Sequence, residues 1–121
     1  MYLDREWYRL SVHEELRPSD PIDGLDVSLL HDLLLRPVLG IDDPRTCDRI
    51  SFVSGASGSE KLKTLADAFR GGPTSLGGVS FALYPCTLDE LFAVADEGRL
   101  MPPKSTWFEP KPRSGLFIHR I

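Results

Sequence analysis

Residues 26–40, DVSLLHDLLLRPVLG, carry the clearest structural signal in the chain. Four apolar side chains recur there at helical spacing: Leu30, Leu33, Leu34 and Val38. The ring of Pro37 disfavours helical backbone in the residue before it, so the helix should end at that point. Gly40 suits the position just past a helix end. The stretch therefore predicts an amphipathic helix that covers part of the core.

Outward from this helix, strand-like and helix-like segments alternate along the chain. Four segments alternate apolar with polar residues or are rich in β-formers, namely residues 7–12, 49–53, 79–84 and 114–121. Ser57 with Glu60, and Thr87 with Glu90, have the spacing of capping boxes at the starts of two further helices. The pattern predicts an α/β or α+β fold, in which a small sheet of about four to five strands is packed by about three helices.

Length and composition are those of one ordinary domain spanning residues 1–121. The chain has 121 residues, of which 41% are hydrophobic and 26% charged. No apolar run approaches the roughly 18 residues that would cross a bilayer, and the first residues lack the pattern of a signal peptide. Two cysteines are too few for a disulfide scaffold. We expect no membrane partner and a cytoplasmic location.

Charge is divided unevenly between the two ends of the sequence. Residues 1–98 carry a net charge of −8, and residues 99–121 carry +4. Nucleic-acid binding needs a broad basic face, which an acidic body does not provide. A basic tail leaves room for a small anionic ligand near the C-terminus, or it pairs with the chain's own acidic residues.

The proline-rich segment from Met101 to Lys111 holds the candidate ligand site. Two of its three prolines, Pro102 and Pro103, should hold the residues that follow them in a stiff, extended conformation. Lysine, hydroxyl and arginine groups are suitable partners for phosphate or carboxylate. The candidate ligand-binding residues are Lys104, Ser105, Thr106, Arg45 and Lys111. The alternative is a rigid, solvated loop that binds no ligand.

Asp42, Asp43 and Asp48 form a candidate metal site. Three carboxylates within seven positions have the chemistry to hold Mg²⁺ through one or two direct contacts and water. The alternative is a structural turn, since aspartates before a proline hydrogen-bond their own backbone and pair with nearby arginines.

Several segments resemble the C-terminal part of domain-of-unknown-function family 1015, a family of uncharacterised bacterial and archaeal proteins. The segments, in the family's order, are LDVSLL at 25–30, LGIDDPRT at 39–46, RISFV at 49–53, MPPKSTWFEPK at 101–111 and SGLFIH at 114–119. Full members are several-fold longer, so the resemblance implies a C-terminal portion whose N-terminal portion is absent from this sequence. The family has no established activity, and its gene neighbourhood implies a metabolic role linked to serine.

Three functions follow as hypotheses, and the sequence leaves open whether the chain is an enzyme. The first is a domain that binds a small phosphorylated or carboxylated metabolite through Lys104 and its neighbours. The second is a Mg²⁺-dependent phosphotransfer or phosphatase fragment centred on Asp42, Asp43 and Asp48. The third is a structural domain without a ligand, which covers the N-terminal portion of its parent or builds a homo-oligomer.

Overall fold

The computed structural model describes residues 1–68 and 77–106. Within those residues the fold is mostly helical, with three α-helices and one antiparallel hairpin of two short strands. The elements in chain order are β1 (Tyr2–Leu3), β2 (Glu6–Trp7), α1 (Asp26–Leu30), α2 (Gly58–Ala68) and α3 (Leu88–Asp96). Short helical turns of other kinds occupy Glu14–Leu16, His31–Leu35 and Gly55–Ser57.

The hairpin closes through a two-residue turn formed by Asp4 and Arg5. Both residues have positive φ, at 52° and 67°. Positive φ at both central positions is the pattern of a type I′ turn, whose twist matches that of the flanking strands. The register places Tyr2 opposite Trp7, and their ring centroids lie 5.2 Å apart.

Tyr2 joins the hairpin to α2 and to the segment that begins at residue 77. Its amide donates to the Ser80 carbonyl at 2.7 Å, and the Ser80 amide donates back at 3.1 Å. The Tyr2 phenol donates to Asp67 Oδ2 on α2 at 3.0 Å, and the Ser80 hydroxyl donates to the Leu62 carbonyl at 3.0 Å. These bonds link three parts of the chain that are far apart in sequence.

Helix α1 runs directly into the π-helical turn His31–Leu35. The Arg36 amide donates to the His31 carbonyl at 2.9 Å, five residues back instead of four. This wider turn adds a residue and rotates the buried face of the helix. Leu29 and Leu35 are both buried, although they are six positions apart in the sequence.

The prediction that Leu30, Leu33, Leu34 and Val38 form the buried face of this helix is therefore wrong. Leu33 and Val38 are 42% and 70% exposed, and Leu30 and Leu34 are half-buried. The predicted helix end is confirmed, because Arg36 is the C-cap residue. The expected reason is wrong, because Arg36 keeps helical dihedral angles (φ −70°, ψ −57°) and the Val38 amide still donates to the Leu34 carbonyl at 3.0 Å.

Helix α3 begins as predicted. The Thr87 hydroxyl accepts from the Glu90 amide at 3.2 Å, and the Glu90 carboxylate accepts from the Thr87 amide at 2.7 Å. The pKa of Glu90 is lowered chiefly by that amide bond. Gly98, with φ of 65°, follows the helix as expected.

The capping box predicted at Ser57 is wrong. Helix α2 begins at Gly58, and the Glu60 carboxylate accepts from Lys63 at 2.6 Å instead. The hydroxyl of Ser54 caps the preceding 3₁₀ turn by accepting from the Ala56 amide at 3.3 Å.

The core of the described residues is small and apolar. Four of its members come from one stretch, residues 25–41, and no polar or charged side chain is buried in the described part of the chain. The buried side chains are Tyr2, Leu25, Leu29, Leu35, Ile41, Ala66 and Val94.

The predicted sheet of four to five strands is wrong for the part of the chain that the structure describes. Residues 49–53 form no strand, residues 7–12 contribute only Trp7, and residues 79–84 contribute a single bridge at Ser80. A strand is stable only where a neighbour pairs with its backbone, and apolar alternation alone supplies no neighbour. The fourth predicted strand, residues 114–121, lies outside the described residues.

Candidate functional site

The segment predicted to present Lys104 forms a tight turn instead of an extended strand. The Ser105 amide donates to the Pro102 carbonyl at 3.3 Å, and the Ser105 hydroxyl donates to the same oxygen at 2.6 Å. Lys104 has φ of 61°, which suits the third position of a type II turn. The turn closes because proline fixes the preceding φ and Ser105 supplies two donors to one carbonyl.

This turn uses part of the chemistry that the sequence assigned to ligand binding. Both donors of Ser105 are engaged within the turn, whereas Lys104 is exposed and Thr106 is half-buried. The described residues supply no carboxylate partner for the Lys104 ammonium. Lys111 lies outside the described residues.

Arg45 is held by Asp43 in the turn that they share. Arg45 Nε lies 3.0 Å from Asp43 Oδ1, and Arg45 Nη2 lies 3.2 Å from Asp43 Oδ2. The same carboxylate accepts the Arg45 amide at 2.9 Å. This fork lowers the pKa of Asp43 and raises the pKa of Arg45. Across residues 1–68 and 77–106, no hydrogen bond or ion pair joins Arg45 to the Lys104 turn.

The loop that carries the three aspartates is tied to the end of the α1 region. Arg49 Nη2 donates to the carbonyls of Leu39 and Gly40 at 3.0 and 2.9 Å. His31 Nε2 lies 3.0 Å from the Asp42 carbonyl. These bonds fix the shape of the loop through its backbone.

The candidate magnesium ligands do not gather as a three-carboxylate cluster. Among the described residues, no group of three or more His, Cys, Asp or Glu side chains is placed to share a metal ion. Asp43 already faces Arg45, and Asp42 and Asp48 are exposed. Magnesium held through one or two of these carboxylates and water stays a prediction.

Asp20 and Arg99 form an ion pair that the sequence did not indicate. Arg99 Nη1 lies 2.5 Å from Asp20 Oδ2 and 3.2 Å from Glu97 Oε2. Asp20 Oδ1 also accepts the amides of Ile22 and Asp23 at 2.8 and 3.0 Å. The arginine bond and these amides lower the pKa of Asp20 to about 2. The pair holds the segment that follows α3 against the loop that precedes α1.

The feature that sequence reasoning missed is the amount of large apolar surface left uncovered. Twelve large apolar side chains in the described residues are exposed. They are Trp7, Tyr8, Leu10, Leu16, Leu33, Val38, Phe52, Leu83, Tyr84, Leu88, Phe92 and Leu100. Helical spacing placed Leu33 and Val38 on the face that covers the core, so no local signal distinguished these exposed residues from buried ones.

Two open grooves lie beside the hairpin. One has a volume of about 340 Å³ and is lined by Met1, Trp7, Tyr8 and residues 82–85. The other, of about 310 Å³, lies between the hairpin and the α1 region, with Leu3 and Leu34 among its apolar lining residues.

Comparison with known proteins does not assign the chain. It matches no protein-family model, no curated protein and no solved structure. In residues 1–68 and 77–106, every helix is too short or too polar to cross a membrane.

Proposed function

We propose that this chain is an interaction domain, whose exposed apolar faces pack against further polypeptide. The observation that carries the proposal is the distribution of apolar side chains: seven are buried and twelve large ones are exposed in the described residues. Single exposed apolar side chains are normal on any protein. Here they gather instead, because Trp7 and Tyr84 line one groove while Leu88 and Phe92 share one helix.

The exposed groups are of the kinds that stabilise interfaces. Tyr84 is 80% exposed and Phe92 is 58% exposed. Full burial of such a side chain contributes about 1.5–3 kcal/mol. Aromatic side chains are enriched in the cores of protein interfaces and among their energetic hot spots. A partner that covered both groups would therefore gain substantial binding energy.

The resemblance to the C-terminal part of family 1015 supplies a partner for this proposal, namely the N-terminal portion of such a parent protein. Association with a second copy is disfavoured by charge. The chain carries 14 basic and 18 acidic side chains, a net charge of −4, which opposes the association of two copies.

The proposal predicts that exposed aromatic residues add little to the chain's own stability. The variants Tyr84→Ser and Phe92→Ser should each change the free energy of unfolding by no more than about 0.5 kcal/mol. The matched core variant Val94→Ala, at a side chain only 1% exposed, should lose about 2 kcal/mol. Urea unfolding followed by circular dichroism measures all three. A loss above about 2 kcal/mol in both serine variants would show that these groups pack within the chain itself.

Anion binding by the Lys104 turn is a second candidate, favoured by the backbone of that residue. Lys104 holds a left-handed conformation that non-glycine residues rarely adopt, and such strain is concentrated at functional sites. The turn leaves its ammonium exposed beside Thr106.

For this candidate, Lys104→Ala should weaken the binding of inorganic phosphate or phosphoserine at least tenfold. One charged hydrogen bond contributes about 1.5–3 kcal/mol. The control is Lys61→Ala, which removes an exposed lysine on α2. Isothermal titration calorimetry that shows equal affinities for wild type and Lys104→Ala would remove the turn as an anion site.

A further inference from the structure

Helix α3 uses only part of its apolar face within this chain. Val94 is 1% exposed and Leu91 is half-buried, so these two residues face the body of the protein. Leu88 and Phe92 lie four residues apart and therefore share one side of the helix, but they are 64% and 58% exposed. Ala95, three residues beyond Phe92, continues the same side and is also exposed. The residues Leu88, Phe92 and Ala95 are called the outer stripe.

The outer stripe has an acidic border. Asp89 and Asp96 are seven residues apart and lie together on the side of the stripe that faces away from Val94. Both are exposed. No lysine or arginine occurs between Leu88 and Asp96, so nothing within the helix neutralises this border. The helix thus presents apolar groups next to uncompensated negative charge.

We infer that the outer stripe binds a basic amphipathic helix of a partner polypeptide, an inference that rests on the proposed interaction function. Charge complementarity decides the occupant. A second copy of α3 packed antiparallel would bring two acidic borders together, whereas lysine or arginine beside the partner's apolar face would pair with Asp89 and Asp96. From Leu88 to Ala95 the stripe covers eight residues, or about 10 Å along the helix axis, which matches two turns of a partner helix with apolar residues three and four apart.

The test uses a synthetic helical peptide of leucine and lysine, with its leucines three and four residues apart, added to the full chain. The control peptide carries glutamate in place of every lysine. Nuclear magnetic resonance of the ¹⁵N-labelled chain should show that the lysine peptide shifts amide signals of α3, whereas the glutamate peptide does not.

Substitutions should then locate the binding surface. Phe92→Ser, and separately the pair Asp89→Lys with Asp96→Lys, should each weaken the affinity for the lysine peptide at least tenfold. The matched controls Phe52→Ser and Glu14→Lys change an exposed aromatic and an exposed acid outside α3, and they should leave the affinity within twofold.

Three results would overturn the inference. They are peptide-induced shifts that map outside α3, equal affinity for the two peptides, and sedimentation that shows a dimer of the chain abolished by Phe92→Ser. Absence of peptide binding while a small apolar dye still binds the folded chain would reject this partner but leave the interaction function standing. Absence of both would reject the interaction function as well.

Discussion

Replacing Leu29 with alanine is expected to lower the free energy of unfolding by about 3 kcal/mol. Leu29 is only 4% exposed and lies in the stretch that supplies four of the seven buried apolar side chains. Truncation loses the transfer free energy of the removed carbons and leaves a cavity that rigid neighbours cannot fill. Small domains have about 5–15 kcal/mol of stability in total, so this loss is a large fraction. Urea unfolding followed by circular dichroism measures it.

Leu33→Ala provides the matched control, because the same substitution is made four residues later in the same helical run. Leu33 is 42% exposed, so its truncation should cost about 1 kcal/mol or less. If Leu33→Ala lowered the free energy of unfolding more than Leu29→Ala did, the buried face would not be rotated by the π-helical turn as described.

The second prediction concerns acid stability and the Asp20 carboxylate. The ordinary pKa of an aspartate is 3.8, and Arg99 with two backbone amides lowers the pKa of Asp20 to about 2 in the folded chain. A lowered folded pKa stabilises the fold above the ordinary value, and that contribution is lost as pH falls from about 4 to about 2. At pH 3 this group alone should take up about 0.8 of a proton on unfolding.

Asp20→Asn keeps an oxygen for the two amides but removes the charge that Arg99 binds. The difference in unfolding free energy between wild type and Asp20→Asn should therefore shrink steadily between pH 5 and about pH 2. Urea unfolding at a series of pH values follows this difference. Asp48→Asn is the matched control, since the described residues place no ion pair on Asp48. A difference that stays constant with pH for Asp20→Asn would mean that the ion pair is not formed in solution.

The sequence predicted helix locations better than helix faces. The capping box at Thr87 and the helix end before Pro37 could be predicted from the sequence, because each depends on residues that are close together in the chain. The buried face of the α1 region was not, because the π-helical turn at His31–Leu35 shifts the register by one residue. Leucine occupies five of the seven positions from 29 to 35, so the sequence allows either register, and the hydrogen bonds from the Arg36 and Leu39 amides select one of them.

Strands were predicted where the chain forms little regular structure. The alternation in residues 79–84 is real, but pairing depends on a neighbour, and Tyr2 bonds only with Ser80 in that segment. The hairpin itself was missed because Asp4 and Arg5 lack the asparagine–glycine signature of a type I′ turn. Long-range pairing and an atypical turn are both invisible to local patterns.

The candidate site shows the same limit. Sequence spacing correctly indicated that Asp43 and Arg45 are able to form an ion pair. It could not show that the Arg45 guanidinium is already engaged by the Asp43 carboxylate. It also could not show that the Ser105 hydroxyl donates to the Pro102 carbonyl. Which apolar residues stay exposed was equally hidden, because exposure depends on what other segments cover.

The fluorescence of anilinonaphthalene sulfonate mixed with the folded chain tests whether the exposed apolar groups form accessible interaction faces. We expect a clear rise in emission with wild type under native conditions. We also expect a smaller rise when Tyr84→Ser and Phe92→Ser are combined, with the free energy of unfolding nearly unchanged. No rise with wild type, or the same rise with the double variant, would show that these groups do not form such faces.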